Sequence, residues 1–298
     1  MIAQKLLMIR PANFGYNSET ATSNEFQNHI GHLNPEQINE LAELEFDNYV
    51  NLLRENSIEV LVVNDTKFPV KPDAIFPNNW FVTLPNKQLF TFPMEATNRR
   101  LERRADILAT LQKQGYSINR ELEKYENQSL YLEGTGSMVM DHKNKMIFAA
   151  KSSRTSEKAL QHFAKLGGYD YLLFETHTQS QTPIYHTNVL MSLSSNFGII
   201  CTELISPKDQ SNLKSLILDK LIIEINANQL KQFLGNCLLV LNEKNEEVLI
   251  LSSRAKETLT PSQLKKIVEA EIKILDVPIP TIETIGGGSA RCMIAELF

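Results

Sequence analysis

The segment NWFVTLPNKQLFTF, residues 79–92, contains two short apolar strands separated by a polar turn. Its apolar positions are rich in aromatic and β-branched residues, and Pro, Asn and Lys supply the turn, which is the pattern of a β-hairpin. The pattern recurs in SMVMDHKNKMIFAA (137–150), NVLMSLSSNFGIICT (188–202) and NCLLVLNEKNEEVLILS (236–252). These segments start roughly 50 residues apart, which indicates a repeated supersecondary unit.

The two ends of the chain complete this repeat. A further apolar strand, ARCMIAELF, occupies residues 290–298, where a fifth unit would begin. Its natural partner is KLLMIR at residues 5–10, a strand that is followed by Pro11. We therefore expect the last strand of the chain to pair with the first.

Helical patterns lie between the hairpins. Apolar residues recur at helical spacing in Pro35–Glu55, where Asn34 is the expected N-cap, and in three further segments: 97–114, 153–166 and 260–269. Single strands follow several of these helices, at 58–63, 169–174 and 273–277. The unit is thus two strands, a helix and another strand, used about five times.

A radial array of such units closes on itself when the last strand pairs with the first, leaves few exposed edges and creates a central channel. The sequence therefore predicts an α/β fold, a five-bladed α/β propeller of repeated ββαβ units in one domain that spans residues 1–298. The alternative on periodicity alone is an ordinary open α/β sheet with mixed strands.

Composition narrows the class of protein. Among 298 residues, 42% are hydrophobic and 22% are charged, which is ordinary for a soluble globular protein. The net charge of -5 without a basic run argues against nucleic acid and anionic membranes as partners. Three cysteines without paired spacing suit a reducing compartment, so we expect a cytoplasmic protein. No metal-binding or nucleotide-binding motif occurs, so we expect no metal and no cofactor, and the sequence leaves a homo-oligomer open.

Polar residues stand just before or within the first strand of each unit, where a radial array would bring them to one axis. They are Asp73, Asn79, Glu133, His186, Asn236 and Cys292.

Cys292 follows the glycine-rich stretch GGGSARC (286–292), in which glycines allow close approach of a substrate. A cysteine in this setting, with a histidine and an acid elsewhere, is a candidate nucleophile; the alternative is a buried core cysteine. His186, in TPIYHTNVLM, is the candidate base, although a lone histidine is more often structural. Glu133, in YLEGTGS, could orient that histidine as the third member of a triad, or be a solvated turn residue.

LEGTGS, the histidine of YHTN and the terminal GGGSARC resemble motifs of the arginine deiminase / amidinotransferase (pentein) superfamily. The resemblance extends over nearly the whole chain. The opening RPANFGYNSETATSNEFQ and the segment PDAIFPNNWFV look more narrowly like the arginine-deiminase-related group that includes citrulline-utilisation hydrolases. The family fold is a five-bladed α/β propeller, in agreement with the repeat.

The resemblance implies a role for each matching residue. It makes Cys292 the nucleophile that attacks the central carbon of a guanidino or ureido group, His186 the general acid and base, and Glu133 the acid that faces it. An imidazolium at His186 could then keep Cys292 as a thiolate. It also assigns contacts with an amino-acid substrate to the following residues: Asp73 at the α-amino group, Arg154 at the α-carboxylate, and Arg99 as a second anion contact.

The pair Asn78-Asn79 stands where many family members have an acidic pair. A carboxylate there favours a cationic guanidinium, whereas an amide donates to a neutral carbonyl, so we include both residues among the substrate contacts. The sequence thus predicts hydrolysis of citrulline to ornithine, ammonia and carbon dioxide through a covalent cysteine adduct. The alternatives are an arginine deiminase or dihydrolase, a dimethylarginine hydrolase, an amidinotransferase and, in another class, a non-catalytic ligand-binding propeller.

Overall fold

The computed structural model describes residues 2–178 and 182–298. Across these residues the strands form five sheets of three strands each. In chain order the strands are β1 Lys5–Arg10, β2 Glu59–Asn64, β3 Phe81–Thr83, β4 Gln88–Thr91, β5 Ser117–Asn119, β6 Met138–Asp141, β7 Met146–Ala150, β8 Asp170–Phe174, β9 Met191–Leu193, β10 Phe197–Ile200, β11 Leu221–Glu224, β12 Leu238–Leu241, β13 Glu247–Ser252, β14 Lys273–Val277 and β15 Ala295–Leu297.

All five sheets have the same topology. The first strand of each hairpin pairs antiparallel with the second, and the second pairs parallel with the strand that follows a crossover; β3, β4 and β5 are one example. The terminal sheet is assembled from both ends of the chain, because β15 pairs antiparallel with β1, which pairs parallel with β2. The predicted pairing of the last strand with the first is therefore confirmed, with Leu6 opposite Glu296.

The sheets follow one another around an axis. Their innermost strands touch in order: β15 contacts β3, β6 contacts β9, and β9 contacts β12. A short helix before β6 connects β3 with β6, and the turn that precedes β15 packs on β13. This ring of repeated ββαβ units is the five-bladed α/β propeller that the repeat predicted, and the open-sheet alternative is wrong.

The helices are α1 Pro35–Glu55, α2 Ala105–Lys113, α3 Gly134–Ser137, α4 Glu157–Gly167, α5 Thr187–Leu190, α6 Pro207–Leu216, α7 Ala227–Lys231, α8 Ser253–Lys256, α9 Pro261–Glu269 and α10 Pro280–Gly286. The predicted boundaries of α1 and α9 are confirmed. In each case the residue before the helix caps it: Asn34 and Gln37 form a capping box at α1, and Thr260 and Gln263 form another at α9.

Two helices begin later than the sequence pattern predicted. Residues 97–114 do not form one helix: a 3-10 turn spans Asn98–Glu102, and the chain leaves helical geometry at Arg103 before α2 begins. Residues 153–156 precede α4 as a non-helical connection. Both departures occur beside buried arginines, Arg99 and Arg154, which form ion pairs with distant parts of the chain: Arg99 with Asp73 and Arg154 with Glu133. Such tertiary contacts can override local helix propensity.

The hydrophobic core lies between neighbouring blades. Phe163 of α4, for example, packs edge-on against Phe90 and Phe92 of the adjacent blade, with ring centroids 5.2 and 5.1 Å apart. Full burial of such a side chain contributes about 1.5–3 kcal/mol. Packing of this kind fixes the relative positions of the blades and therefore of the residues at the axis. Within the described ranges, no helix is both long and apolar enough to cross a membrane.

Candidate active site

A helical turn precedes the innermost strand of four blades and carries polar residues to the axis. Asn79 ends the 3-10 turn Pro77–Asn79, Glu133 and His186 are the N-cap residues of α3 and α5, and Cys292 lies within the 3-10 turn Ala290–Met293. Because the turns occupy equivalent places in the repeat, residues that are far apart in sequence converge at one end of the channel.

A small cavity, about 270 Å³ of space including its mouth, lies at that end. Six of the predicted site residues line it: Asp73, Asn79, Arg99, Arg154, His186 and Cys292. Glycines of the GGGSARC stretch, Gly286, Gly287 and Gly288, form part of its wall.

His186 and Glu133 form a buried pair. The Nε2 atom of His186 lies 2.8 Å from a carboxylate oxygen of Glu133, whose other oxygen accepts the backbone N–H of Glu95 at 3.0 Å. Burial by itself would raise the pKa of Glu133, but Arg154 and the hydrogen bond from His186 outweigh it and hold that pKa well below its ordinary value. Burial lowers the pKa of His186 to about 4, in spite of Glu133. A neutral imidazole thus donates Nε2–H to an ionised carboxylate, which leaves Nδ1 as the free base.

The Cys292 thiol is buried and surrounded by amides. The side-chain nitrogen of Asn236 lies 3.2 Å from its sulfur, and that of Asn188 lies 3.5 Å from it. Burial raises the pKa of Cys292, so the thiol is protonated at neutral pH. The structure does not support the predicted imidazolium–thiolate pair, because burial disfavours the charged form of both His186 and Cys292.

Asn79 is held in one orientation by Arg99. The guanidinium of Arg99 donates to the Asn79 side-chain oxygen at 2.8 Å and to both carboxylate oxygens of Glu102 at 2.8 and 3.0 Å. The side-chain nitrogen of Asn79 is buried and has no hydrogen-bond partner within the described part of the chain. A Cβ atom at Gly136 would lie 2.4 Å from that nitrogen and 2.8 Å from Nδ1 of His186. The second glycine of LEGTGS therefore lets the amide and the imidazole approach one another.

Two opposite charges also line the cavity. Asp73 and Arg154 are both buried, and each contacts the segment 17–27, which we call the strap. Asn17 donates to Asp73 at 2.7 Å, and Ser23 accepts from Arg154 at 2.7 Å. One oxygen of Asp73 has no hydrogen-bond partner among the residues described. A buried guanidinium and a buried carboxylate thus both lie beneath the strap.

Asn78 differs from the other predicted residues. Its side chain is completely buried, it does not line the cavity, and within residues 2–178 and 182–298 neither of its side-chain polar atoms has a partner. Asn79 therefore lines the cavity beside His186, and Asn78 does not.

Sequence reasoning missed two residues that support the site. Glu102, which holds Arg99, lies in a segment that looked like an ordinary amphipathic helix. Asn188 contacts the Cys292 sulfur. A signal for Asn188 was present, because Asn79, Asn188 and Asn236 each begin one of the repeated segments. Within the described residues, no group of three or more His, Cys, Asp and Glu side chains could hold a metal ion.

The family model described as N,N dimethylarginine dimethylhydrolase, eukaryotic, matches residues 10–298. The comparison with curated proteins finds no match.

Three solved structures illustrate the similarity of fold. The N-terminal domain of ArgZ, an arginine dihydrolase from cyanobacteria solved with its substrate, gives a TM-score of 0.76 at 16% identity over 98% of this chain and 97% of that one. AgrE with L-arginine gives 0.78 at 15% identity; the match covers all of this chain (100%) and only 40% of the AgrE chain. The dimethylarginine hydrolase DDAH of Pseudomonas aeruginosa, solved with citrulline, gives 0.70 at 15% identity over 100% of both chains.

Proposed function

This chain belongs to the N,N-dimethylarginine dimethylhydrolase family within the pentein superfamily and is a hydrolase of linear carbon–nitrogen bonds; from that premise we propose that its substrate is citrulline, which it converts to ornithine, ammonia and carbon dioxide. The observation that carries the proposal is the orientation of Asn79. Because Arg99 occupies the side-chain oxygen, Asn79 offers N–H donors to the reacting group.

Those donors suit a ureido group. The ureido oxygen of citrulline accepts hydrogen bonds, whereas the guanidinium of arginine has only donors and needs acceptors near its nitrogens. Two of the buried carboxylates are already paired, since Glu133 accepts from His186 and Glu102 from Arg99. The third, Asp73, is the one assigned to the α-ammonium group of the substrate. A cation buried next to these amides would lose its hydration without gaining an ion pair.

The charged groups Asp73 and Arg154, which line the same cavity, suit the head of a free amino acid. The planar guanidinium of Arg154 matches a carboxylate, and the unpartnered oxygen of Asp73 can accept from an α-ammonium group. In the structure the strap supplies equivalent partners to both side chains, with Ser23 on Arg154 and Asn17 on Asp73. We infer that the substrate takes over these contacts when it binds.

The proposed reaction begins with proton transfer from the Cys292 thiol to Nδ1 of His186. The sulfur attacks the ureido carbon, and the oxygen takes the carbonyl electron pair while the Asn79 amide donates to it. The bond between the carbon and the terminal nitrogen then breaks as His186 returns the proton to that nitrogen, which leaves as ammonia. Water, deprotonated by the same Nδ1, attacks the thiocarbamoyl adduct, and the carbon–sulfur bond breaks as the proton returns to the sulfur. The N-carboxylated product then loses carbon dioxide to give ornithine.

Arginine dihydrolysis is the second candidate. The similarity in fold to ArgZ, which is an arginine dihydrolase, favours it. Such an enzyme would also release ornithine, so both reactions end in the same products and differ in the preferred substrate.

The test is incubation of the purified chain with citrulline, arginine, agmatine and methylated arginines, followed by assay of ammonia and ornithine. We expect ornithine and ammonia from citrulline, none from agmatine, and none from any compound with the Cys292→Ala variant. Release of citrulline as the end product from arginine or a methylated arginine would contradict the proposal.

A further inference from the structure

The sulfur of Cys292 lies between two buried asparagines, and both direct a side-chain nitrogen at it. Asn236 donates from 3.2 Å and Asn188 from 3.5 Å. Both side chains are at most 1% exposed. The sequence analysis gave neither residue a chemical role.

The orientation of Asn236 is fixed independently of the sulfur. Its side-chain nitrogen also donates to the backbone carbonyl of Asn188 at 2.9 Å, which keeps the nitrogen on the side of the sulfur. The nitrogen is the nearer of the two polar atoms, at 3.2 Å, and the side-chain oxygen lies 3.5 Å from the sulfur. The Cys292 turn is anchored as well, because the hydroxyl of Tyr49 in α1 donates to the carbonyl of Ala290 at 3.2 Å. Sulfur and amides are therefore held together by contacts that do not depend on a substrate.

Charged groups surround this cluster, but their hydrogen bonds go elsewhere. The nearest guanidinium in sequence, Arg291, donates to the carbonyl of Ile294 at 2.8 Å and to Glu296 at 2.8 Å. The titratable and charged groups that face Cys292 from its own turn, from the neighbouring elements and across the cavity are Arg291, Tyr49, Tyr185, His186, Asp73, Glu133, Arg99 and Arg154.

We propose that Asn188 and Asn236 form an amide cradle that stabilises the Cys292 thiolate with neutral donors. An N–H group that points at sulfur interacts more strongly with S⁻ than with SH, because hydrogen bonds to a charged acceptor are stronger. The cradle acts twice in the reaction. It holds the electron pair left on sulfur when His186 takes the proton, and again when the carbon–sulfur bond breaks.

The cradle also affects which substrate the site prefers, and this part of the proposal rests on the proposed function. A carboxylate at either position would attract a guanidinium, but it would oppose negative charge on the sulfur. Two amides avoid that conflict and add no anion beside the ureido carbon. The site thus stabilises its own nucleophile without help from a cationic substrate.

The experiment measures the rate at which iodoacetamide modifies Cys292 in the full chain, from neutral to strongly alkaline pH and without substrate, by peptide mass spectrometry. Asn188→Ala and Asn236→Ala should each raise the apparent pKa of the Cys292 reaction by about one unit, which is a tenfold smaller thiolate fraction at neutral pH. The pKa is the appropriate readout. At fixed pH the rate should fall only about threefold, because a more basic thiolate is also a better nucleophile.

Two comparisons separate this effect from a general loss of structure. Asn242→Ala removes another buried amide just beyond the far end of β12, where it contacts Glu246 and not the sulfur, and should leave the profile unchanged. Asn236→Asp keeps the shape of the side chain but replaces the donor by a carboxylate, and should raise the apparent pKa further than Asn236→Ala. Cys201 and Cys237, whose pKa values burial raises to about 12, provide slow internal references.

Profiles of both alanine variants that coincide with the wild-type profile would overturn the cradle, as would an Asn236→Asp profile shifted to lower pH. The proposed function fails separately. If the profiles shift as expected but citrulline is not hydrolysed, the cradle stands and the substrate assignment is wrong.

Discussion

Replacement of Asn79 by Asp changes one atom that faces the reacting group. In the wild-type structure Arg99 donates to the Asn79 oxygen at 2.8 Å. The carboxylate of the variant keeps this contact, because an aspartate oxygen accepts equally well. At the other position an N–H donor becomes a negatively charged acceptor. Citrulline loses a hydrogen bond to its carbonyl oxygen, and arginine gains a charged partner for its guanidinium.

The size of the effect follows from these two hydrogen bonds. A neutral hydrogen bond contributes about 1 kcal/mol and one to a charged group about 1.5–3 kcal/mol. The sum of these two contributions is an upper limit, because the guanidinium of Arg99 partly neutralises the new carboxylate. Glu133 lies 3.9 Å from that guanidinium of Arg99 as well. We expect the ratio of kcat/KM for arginine to that for citrulline to rise at least tenfold, which is about 1.4 kcal/mol.

The assay measures ornithine and ammonia from each substrate under kcat/KM conditions for wild type, Asn79→Asp and Asn79→Ala. The alanine variant is the control, since it removes the donor without adding a charge; it should lose activity on citrulline and gain none on arginine. An Asn79→Asp variant with the wild-type ratio, or one that becomes more selective for citrulline, would refute the role of this amide.

Four further predictions concern the remaining groups of the site. Cys292→Ser or Cys292→Ala should abolish turnover without a loss of thermal stability, whereas Cys237→Ala should lower the melting temperature more than the rate; both are measured by product assay and thermal unfolding. His186→Ala should lose several orders of magnitude in kcat and Glu133→Gln less, because the carboxylate orients the base and does not react. Since burial lowers the pKa of His186 to about 4, wild-type kcat/KM should stay level as pH falls from neutral and decline only as His186 becomes protonated near that value; a decline centred near the ordinary pKa of about 6.5 would contradict the neutral pair. Arg154→Lys should raise KM for citrulline with little change in kcat, because lysine cannot reproduce the planar fork, and agmatine as the best substrate would rule out this carboxylate contact.

The propeller could be predicted because its signal is local and repeated. Each hairpin places apolar residues on either side of a polar turn, and the segment 290–298 had one free partner, the strand at residues 5–10. The parts of the fold that could not be predicted depend on tertiary charges. Arg99 has ordinary helix propensity, yet its buried ion pair with Glu102 lies in a 3-10 turn that the apolar periodicity does not reveal.

The sequence allowed the residues of the candidate site to be predicted, but not their protonation states. Equivalent positions in the repeat pointed to Cys292, His186 and Glu133, because a radial fold brings such positions to one axis. Their protonation depends on burial, which no motif states. The contacts of Arg154 with the strap were also beyond the sequence, since they join residues more than a hundred positions apart.

The most direct test of the account compares kcat/KM of the wild-type chain for citrulline and for arginine, with ornithine and ammonia quantified in both reactions. The amide of Asn79, turned by Arg99 to donate, predicts a higher value for citrulline, with one ammonia released for each ornithine. A higher value for arginine, with two ammonia released for each ornithine, would contradict the account and identify the enzyme as an arginine dihydrolase.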